Sequence, residues 1–362
     1  MPLSGVQVGS VYDGIGDPTT PGWPSTGECE RLSDKEVENK GNVPLIPPLP
    51  ISWADGDAII RTIGGKVANV DWQGGEDSPI YRVGPGPAIA NLSYEGKQVI
   101  ITIQNVIAVI EGEEEPDRFV ILGNHRDEWT FGAVDPNSGT ATLLMIGSEE
   151  WVEENREMLA ARVVAYLNVD CAVQGGPFRA SATPQLDDII IEAARQVQDP
   201  DNSSQTIYQS WLASDNDTTV KLGRLGGAGS DYAAFVQHIG TPALDMSFGN
   251  DDEVLPFNYL SYAIELQVLR AKRRRASVRE VRELNDRLIM TERAFTDRDG
   301  LPSRTWYKHL IYAPTRHNDY VSDSFPGISD AIERAKASTL QFRGVLYNMK
   351  FGELLEPSHK PH

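Results

Sequence analysis

The stretch from Arg118 to Gly139, RFVILGNHRDEWTFGAVDPNSG, constrains the fold more than any other part of the chain. Phe119 to Leu122 is an apolar run long enough for a buried strand. The run stops at Gly123-Asn124, and His125, Arg126 and Asp127 follow at once. Asp135 comes ten residues after His125, in an Asp-Pro-Asn-Ser-Gly turn. An imidazole and a carboxylate just past a strand end stand where open α/β sheets keep their chemistry, and both are ligand types that Zn²⁺ takes. Taken singly, they read better as polar residues capping turns at a strand-to-loop junction. A second apolar, β-branched run shifts that balance: Ala161 to Val169 (ARVVAYLNV) ends on Asp170. Two neighbouring parallel strands that deliver such ligands at one sheet edge predict a metal centre.

The surroundings fit that expectation. From about 105 to 250, strands alternate with helices, which predicts an α/β core with a mostly parallel sheet. Helices are expected from about Thr140 to Leu159, from Gln185 to Gln198, and over 232–238. The first carries Glu149, Glu150, Glu153, Glu154 and Glu157 on a side expected to face solvent. Gly223 to Ser230 (GRLGGAGS) has no Gly-Lys-Ser/Thr and is no P-loop. It reads as backbone closely approaching a pocket, which makes Ser230 a candidate substrate contact.

Residues 1 to about 60 are rich in Pro, Gly and Asp. Asp17 to Pro24 is turn chemistry, and Ile46-Pro-Pro-Leu-Pro-Ile51 is an extended linker. Ser52 is placed to cap a short helix, Trp53 to Ile63, which Gly64-Gly65 stops. Strand-like segments follow at Ile89–Leu92, Val99–Gln104 and Val106–Ile110, giving mixed β with one short helix. After about 253 the chain turns helical and charged, with a long helix expected from Asn258 to Arg293 and a strand at Leu310–Pro314. The basic Lys272–Arg275 patch reads as solvated helix surface, and the tail after Pro357 as disordered.

A formal net charge of -19 argues against a broad basic surface for nucleic acid or anionic membrane. No apolar run reaches the roughly 18–20 residues of a membrane helix, and Met1 to Ser10 lacks the pattern of a signal peptide. Cys29 and Cys171 are too few for a disulfide framework or a thiolate zinc site. Triplets at Asn91, Asn202 and Asn216 match the glycosylation pattern and leave the compartment open.

Several strings together resemble the glutamate carboxypeptidase II family of di-zinc exopeptidases, in its plant-like branch. They are Gly123-Asn-His-Arg-Asp-Glu-Trp129, Asp135-Pro-Asn-Ser-Gly139 and Tyr166-Leu-Asn-Val-Asp170, with Asp17 to Gly22, Tyr81 to Gly86, Ala313-Pro, His317 to Tyr320 and Phe325-Pro-Gly327. The resemblance implies a partial apical (protease-associated) domain over 1–104 and an interrupted zinc-peptidase domain over 105–252. It also implies a transferrin receptor-like helical dimerisation domain over 253–362, hence a homodimer acting on a peptide. Two zinc ions are implied, with His125 on one, Asp170 on the other, Asp135 bridging both, and Asp127 orienting His125. A calcium site is implied at Thr20, the backbone oxygen of Trp23, Glu150 and Glu153. Tyr320 matches a residue lining the pocket for the substrate's C-terminal residue. Family members are anchored by an N-terminal membrane helix that is not in this sequence.

The departures from the family are as informative. Leu144-Met-Ile146 runs directly into Gly147-Ser-Glu-Glu-Trp151, where the family has a Trp-Asp-Ala-Glu-Glu-Phe motif supplying the general base and a zinc ligand. After Ser247-Phe-Gly249 the family's Tyr-His motif, the last zinc ligand, is missing too. Asp245 and Ser247 stand where glutamate-binding members use an arginine pair, and Asp319 stands in place of a lysine. The expectation is a zinc carboxypeptidase lineage whose present chain is weak or inactive. Rival expectations are a non-enzymatic dimeric interaction protein of the transferrin-receptor kind and a calcium-stabilised scaffold.

Overall fold

The computed structural model describes residues 2–6, 12, 15–40, 43–75, 78–97, 99–128, 135–138, 148–215, 218–249 and 278–337. The chain divides into two compact units, one of Met1–Gly14 with Leu32–Ile103, the other of Ile15–Arg31 with Gln104–His362.

The first unit holds helices α1 (Asp34–Lys40) and α2 (Trp53–Arg61) and a two-stranded antiparallel pair, β1 (Lys66–Val67) with β2 (Arg82–Val83). The Ser52 hydroxyl accepts the Asp55 N–H at 3.1 Å, satisfying one of the free donors of the first turn of α2. The expected strands at 89–92, 99–104 and 106–110 do not form. Their apolar side chains stand in solvent, Ile89 at 96% and Ile110 at 97% exposure. A strand is held by its neighbours' N–H and C=O groups, and no described segment supplies them. The mixed-β expectation for this region is therefore corrected to short helices, one small hairpin and irregular chain.

The second unit is built on a six-stranded sheet. Its strands are β3 (Phe119–Gly123), β4 (Val163–Asn168), β5 (Val173–Gly175), β6 (Phe178–Ala182), β7 (Gly223–Arg224) and β8 (Ala243–Gly249). Their order is β3-β4-β8-β6-β7, with β5 also paired to β8. The sheet is mixed: β3–β4, β4–β8, β5–β8 and β6–β7 run parallel, while β6–β8 is antiparallel. Alternation along the strands sends side chains to two cores. Leu167, Met246, Phe248 and Phe178 pack against α5 (Asp187–Gln196) and α6 (Ile207–Asp215), where Trp211 is fully buried edge-on to Phe178. On the opposite face Val163, Tyr166 and Ala243 meet α3 (Glu149–Glu154), α4 (Arg156–Arg162) and the π-helical turn Ala234–His238. Each fully buried large apolar side chain contributes about 1.5–3 kcal/mol, so the inner strand β4, buried on both faces, is a main anchor of the unit.

Gly123 ends β3 for a packing reason. A Cβ there would lie 2.0 Å from the Tyr166 hydroxyl, because the Tyr166 ring crosses it while stacked at 4.0 Å on Phe235. The helix expected at 140–159 is described only from residue 148 and is split at Asn155 into α3 and α4. Of the long helix expected at 258–293, α7 (Val278–Arg293) is described. The Lys272–Arg275 patch and the tail after Pro357 lie outside the described residues. A hairpin of β9 (Tyr312–Thr315) and β10 (Asn318–Ser324) follows, and then helical backbone over 326–337.

Candidate functional site

Strand order puts the ends of β3 and β4 side by side, with Gly123 paired to Asn168. His125 and Asp170 therefore emerge two residues beyond paired positions, at the same sheet edge. The His125 Nε2 lies 2.8 Å from Asp170 Oδ1 and 3.0 Å from Asp135 Oδ1, and its Nδ1 lies 3.1 Å from Asp127 Oδ1. His125, Asp135 and Asp170 each offer a ligand atom within 4.8 Å of the others, so this trio forms a possible metal site. Hydrogen bonds that the imidazolium donates to Asp127 and Asp170 raise its pKa to about 11, against the opposing effect of burial. Burial works against the Asp170 charge, but His125 and Ser230 hold that carboxyl below its usual range. Without a metal, a proton on Nε2 stands where an ion would bind, and the ion would have to displace it.

A hydrogen-bond network that the sequence reading missed supports the trio. Asn168, fully buried, donates from Nδ2 to Ser230 Oγ and to Asp245 Oδ1, both at 2.9 Å. Ser230 is hydrogen-bonded to Asp170 in turn. Ser148 Oγ donates to Asp231 Oδ1 at 2.9 Å, and burial pushes Asp231 and Asp245 each up to about 6. A polar residue inside the apolar run of β4 was the one visible signal for Asn168. Cys171 is no nucleophile here, since burial and the Asp170 charge push its thiol up to about 12.

Ser230, singled out as a substrate contact, thus has its hydroxyl engaged between Asn168 and Asp170. Tyr320 lies in β10, and its neighbour Asp319 accepts the Ala228 N–H through its backbone oxygen at 2.7 Å. The hairpin is thereby attached to the glycine-rich segment. The approach is close at Gly226 as well, where a Cβ would fall 1.7 Å from Ser322 Oγ. The other described histidines are engaged elsewhere: His238 with the Trp306 carbonyl, His309 with Glu292, His317 beside Glu333.

A second acidic site lies where Ile15–Arg31 crosses α3. Glu150 accepts the backbone N–H groups of Asp17 at 2.8 Å and Ser25 at 2.7 Å through its two oxygens. Asp17 is held by Thr19, Ser25 and Arg31; burial opposes its charge, but the Thr19 and Ser25 bonds bring it down to about 2. Glu153 accepts the Trp306 indole N–H at 2.8 Å through Oε1, and burial next to Glu150 and Glu149 raises it to about 7. Its Oε2 and the Thr20 Oγ1, with Thr20 only 1% exposed, are buried oxygens with no hydrogen-bond partner. The Trp23 N–H closes the turn onto the Thr20 oxygen at 3.2 Å. The solvated acidic face expected for this helix is thus corrected. Glu149, Glu150 and Glu153 are partly covered, and only Glu154 and Glu157 stand in water.

The description "transferrin receptor-like dimerisation domain" matches residues 258–344. The chain is 48% identical to the Arabidopsis thaliana protein named "Probable glutamate carboxypeptidase LAMP1", over 93% of this chain and 63% of that protein. It is 35% identical to the Zea mays "Probable glutamate carboxypeptidase VP8" over 91% of this chain and 62% of the relative. It is 29% identical to the Mus musculus "Aminopeptidase NAALADL1" over 93% and 63%. The chain therefore spans under two thirds of the length of these relatives. The Arabidopsis alignment extends over 441 residues, more than the 362 of this chain, so that relative carries stretches without a counterpart here. Among the described residues no helix is long and apolar enough to cross a membrane.

Proposed function

The chain belongs to the glutamate carboxypeptidase II-like family, and from that premise we propose that it is a shortened form of a zinc-dependent carboxypeptidase that removes a C-terminal residue from a peptide. The observation that carries the reading is the convergence of His125, Asp135 and Asp170 at one sheet edge. One imidazole and two carboxylates suit a divalent ion that keeps an open position. Asp127 orients the imidazole through Nδ1 so that Nε2 faces the site, and Ser230 steadies Asp170. Zinc bound there would polarise a peptide carbonyl and make water more acidic. Tyr320 and Ser230 are our candidates for the substrate side.

Three donors serve one ion better than two, and the sequence has no Trp-Asp-Ala-Glu-Glu-Phe string to supply a general base. Two internal segments, one after Ile146 and one after Gly249, are the stretches we regard as missing. This chain should then bind zinc but hydrolyse peptide slowly or not at all. The Thr20, Trp23, Glu150 and Glu153 group fits calcium, since a hard cation would satisfy the two partnerless oxygens. The 258–344 match supports a homodimer, and it also favours a second reading, a dimeric interaction protein without catalysis.

The test is a zinc titration of the full chain beside a dipeptide hydrolysis assay. We expect one zinc at micromolar affinity, lost in His125→Ala, with little turnover. No zinc binding by a dimeric chain would favour the interaction protein. Brisk turnover abolished by Asp170→Ala would refute the inactivity.

A further inference from the structure

We propose that Trp306 is a positioning residue of the cation site at Thr20 and Glu153, so that the turn 301–309 is held to the same ion as the loop 17–25. The inference rests on the calcium reading above and adds a residue to it. Glu153 has two oxygens with different tasks. Oε1 accepts the Trp306 indole N–H at 2.8 Å, while Oε2 is buried without a partner, as is the Thr20 hydroxyl. An indole N–H is a donor only. It therefore fixes the carboxylate plane and leaves the second oxygen for a cation, and the indole itself cannot ligate.

Trp306 is in turn held from behind. Its carbonyl accepts from His238 Nδ1 at 3.0 Å, and its ring lies 5.1 Å from that imidazole and 5.2 Å from the Tyr307 ring. Arg304 locks the same turn, with Nε and Nη2 on the Asp330 carboxylate at 3.0 and 3.1 Å and Nη1 on the Pro314 oxygen at 2.7 Å. A rotamer of Glu153 fixed this way saves the ion the cost of ordering a flexible glutamate. A bound cation would thus join three segments remote in sequence: the loop 17–25, helix α3 and the turn ahead of β9.

Titration of the full chain with CaCl₂, together with melting curves in CaCl₂ and in EGTA, tests this. Trp306→Phe keeps a ring and removes the N–H. Calcium affinity should fall by about 10- to 100-fold, as is usual when a group orienting a ligand is lost, with the melting temperature in EGTA unchanged. Glu153→Gln can still accept the indole N–H, and it should lose calcium stabilisation outright. Native affinity in Trp306→Phe, or an equal loss of melting temperature with and without calcium, would overturn the role of Trp306 and leave the cation site standing. No calcium binding by the native chain would remove both.

Discussion

The second unit contains two acidic sites that solve the same electrostatic problem in opposite ways. At the sheet edge, Asp127, Asp135 and Asp170 surround one imidazole, whose single charge offsets only one of the three. At the crossing of the loop 17–25 over α3, Glu150 is satisfied by backbone N–H groups, and Asp17 by a guanidinium and hydroxyls. The first site is three side chains that could hold a cation, engaged for now with one another. The second is a staple that happens to leave two oxygens empty-handed. The lesson is that the partners of an acidic residue say what it is free to do: at the sheet edge an ion would have to displace a partner, whereas at the crossing it would meet oxygens that are still unengaged.

The strongest attempt to break that contrast is Asp170→Ala. It should cost at least about a hundred-fold in zinc affinity by calorimetry, since removal of a group that merely orients a ligand already costs 10- to 100-fold. The melting temperature without metal should change far less. A similar loss of zinc binding in Glu150→Ala would collapse the distinction. Asp127→Asn comes next, with an expected loss of about ten-fold or more in zinc affinity and little effect on folding.

Gly123→Ala probes how the sheet edge is held. The added methyl meets a Tyr166 ring backed by Phe235, so it should cost about 1–3 kcal/mol in denaturant unfolding. Asp17→Ala removes the hub of the staple. Its pairs are partly exposed and screened, which limits the expected loss to about 1–2 kcal/mol.

The smallest effect is a pH slope. Burial lowers His238 to about 4 from an ordinary 6.5. The unfolded chain therefore takes up a proton that the folded chain refuses between those values. Stability contributed by the neutral imidazole is present above pH 6.5 and is lost as pH falls towards 4. In His238→Asn the unfolding free energy should fall less steeply across that window. An unchanged slope would show that the imidazole behind Trp306 has no part in it.

Much of this was legible in the sequence. Continuous apolar, β-branched runs marked β3 and β4, Ser52 marked a helix start, and the placement of His125, Asp135 and Asp170 after strand ends brought out the sheet-edge trio. What was not legible depended on chain remote in sequence. Asn168 finds Ser230 and Asp245 only because β8 lies beside β4, and Ser148 finds Asp231 across 83 residues. Glu150 and Glu153 looked solvated because nothing local reveals that the loop 17–25 will cover them. Helix α6 was missed because Tyr208, Ser210 and Ser214 dilute its apolar pattern. The segments at 89–110 carry strand composition without strand partners, so composition alone misled.

The Ala228 N–H and the Asp319 C=O join the glycine-rich segment to the hairpin through main-chain atoms. A survey that trims side chains one at a time would score both positions as silent, because neither alanine nor any other ordinary replacement at 319 deletes a carbonyl. Only a proline at 228, or an ester in place of that amide, would sever the join. The region around Tyr320 is thereby buffered against drift in the residues that carry it.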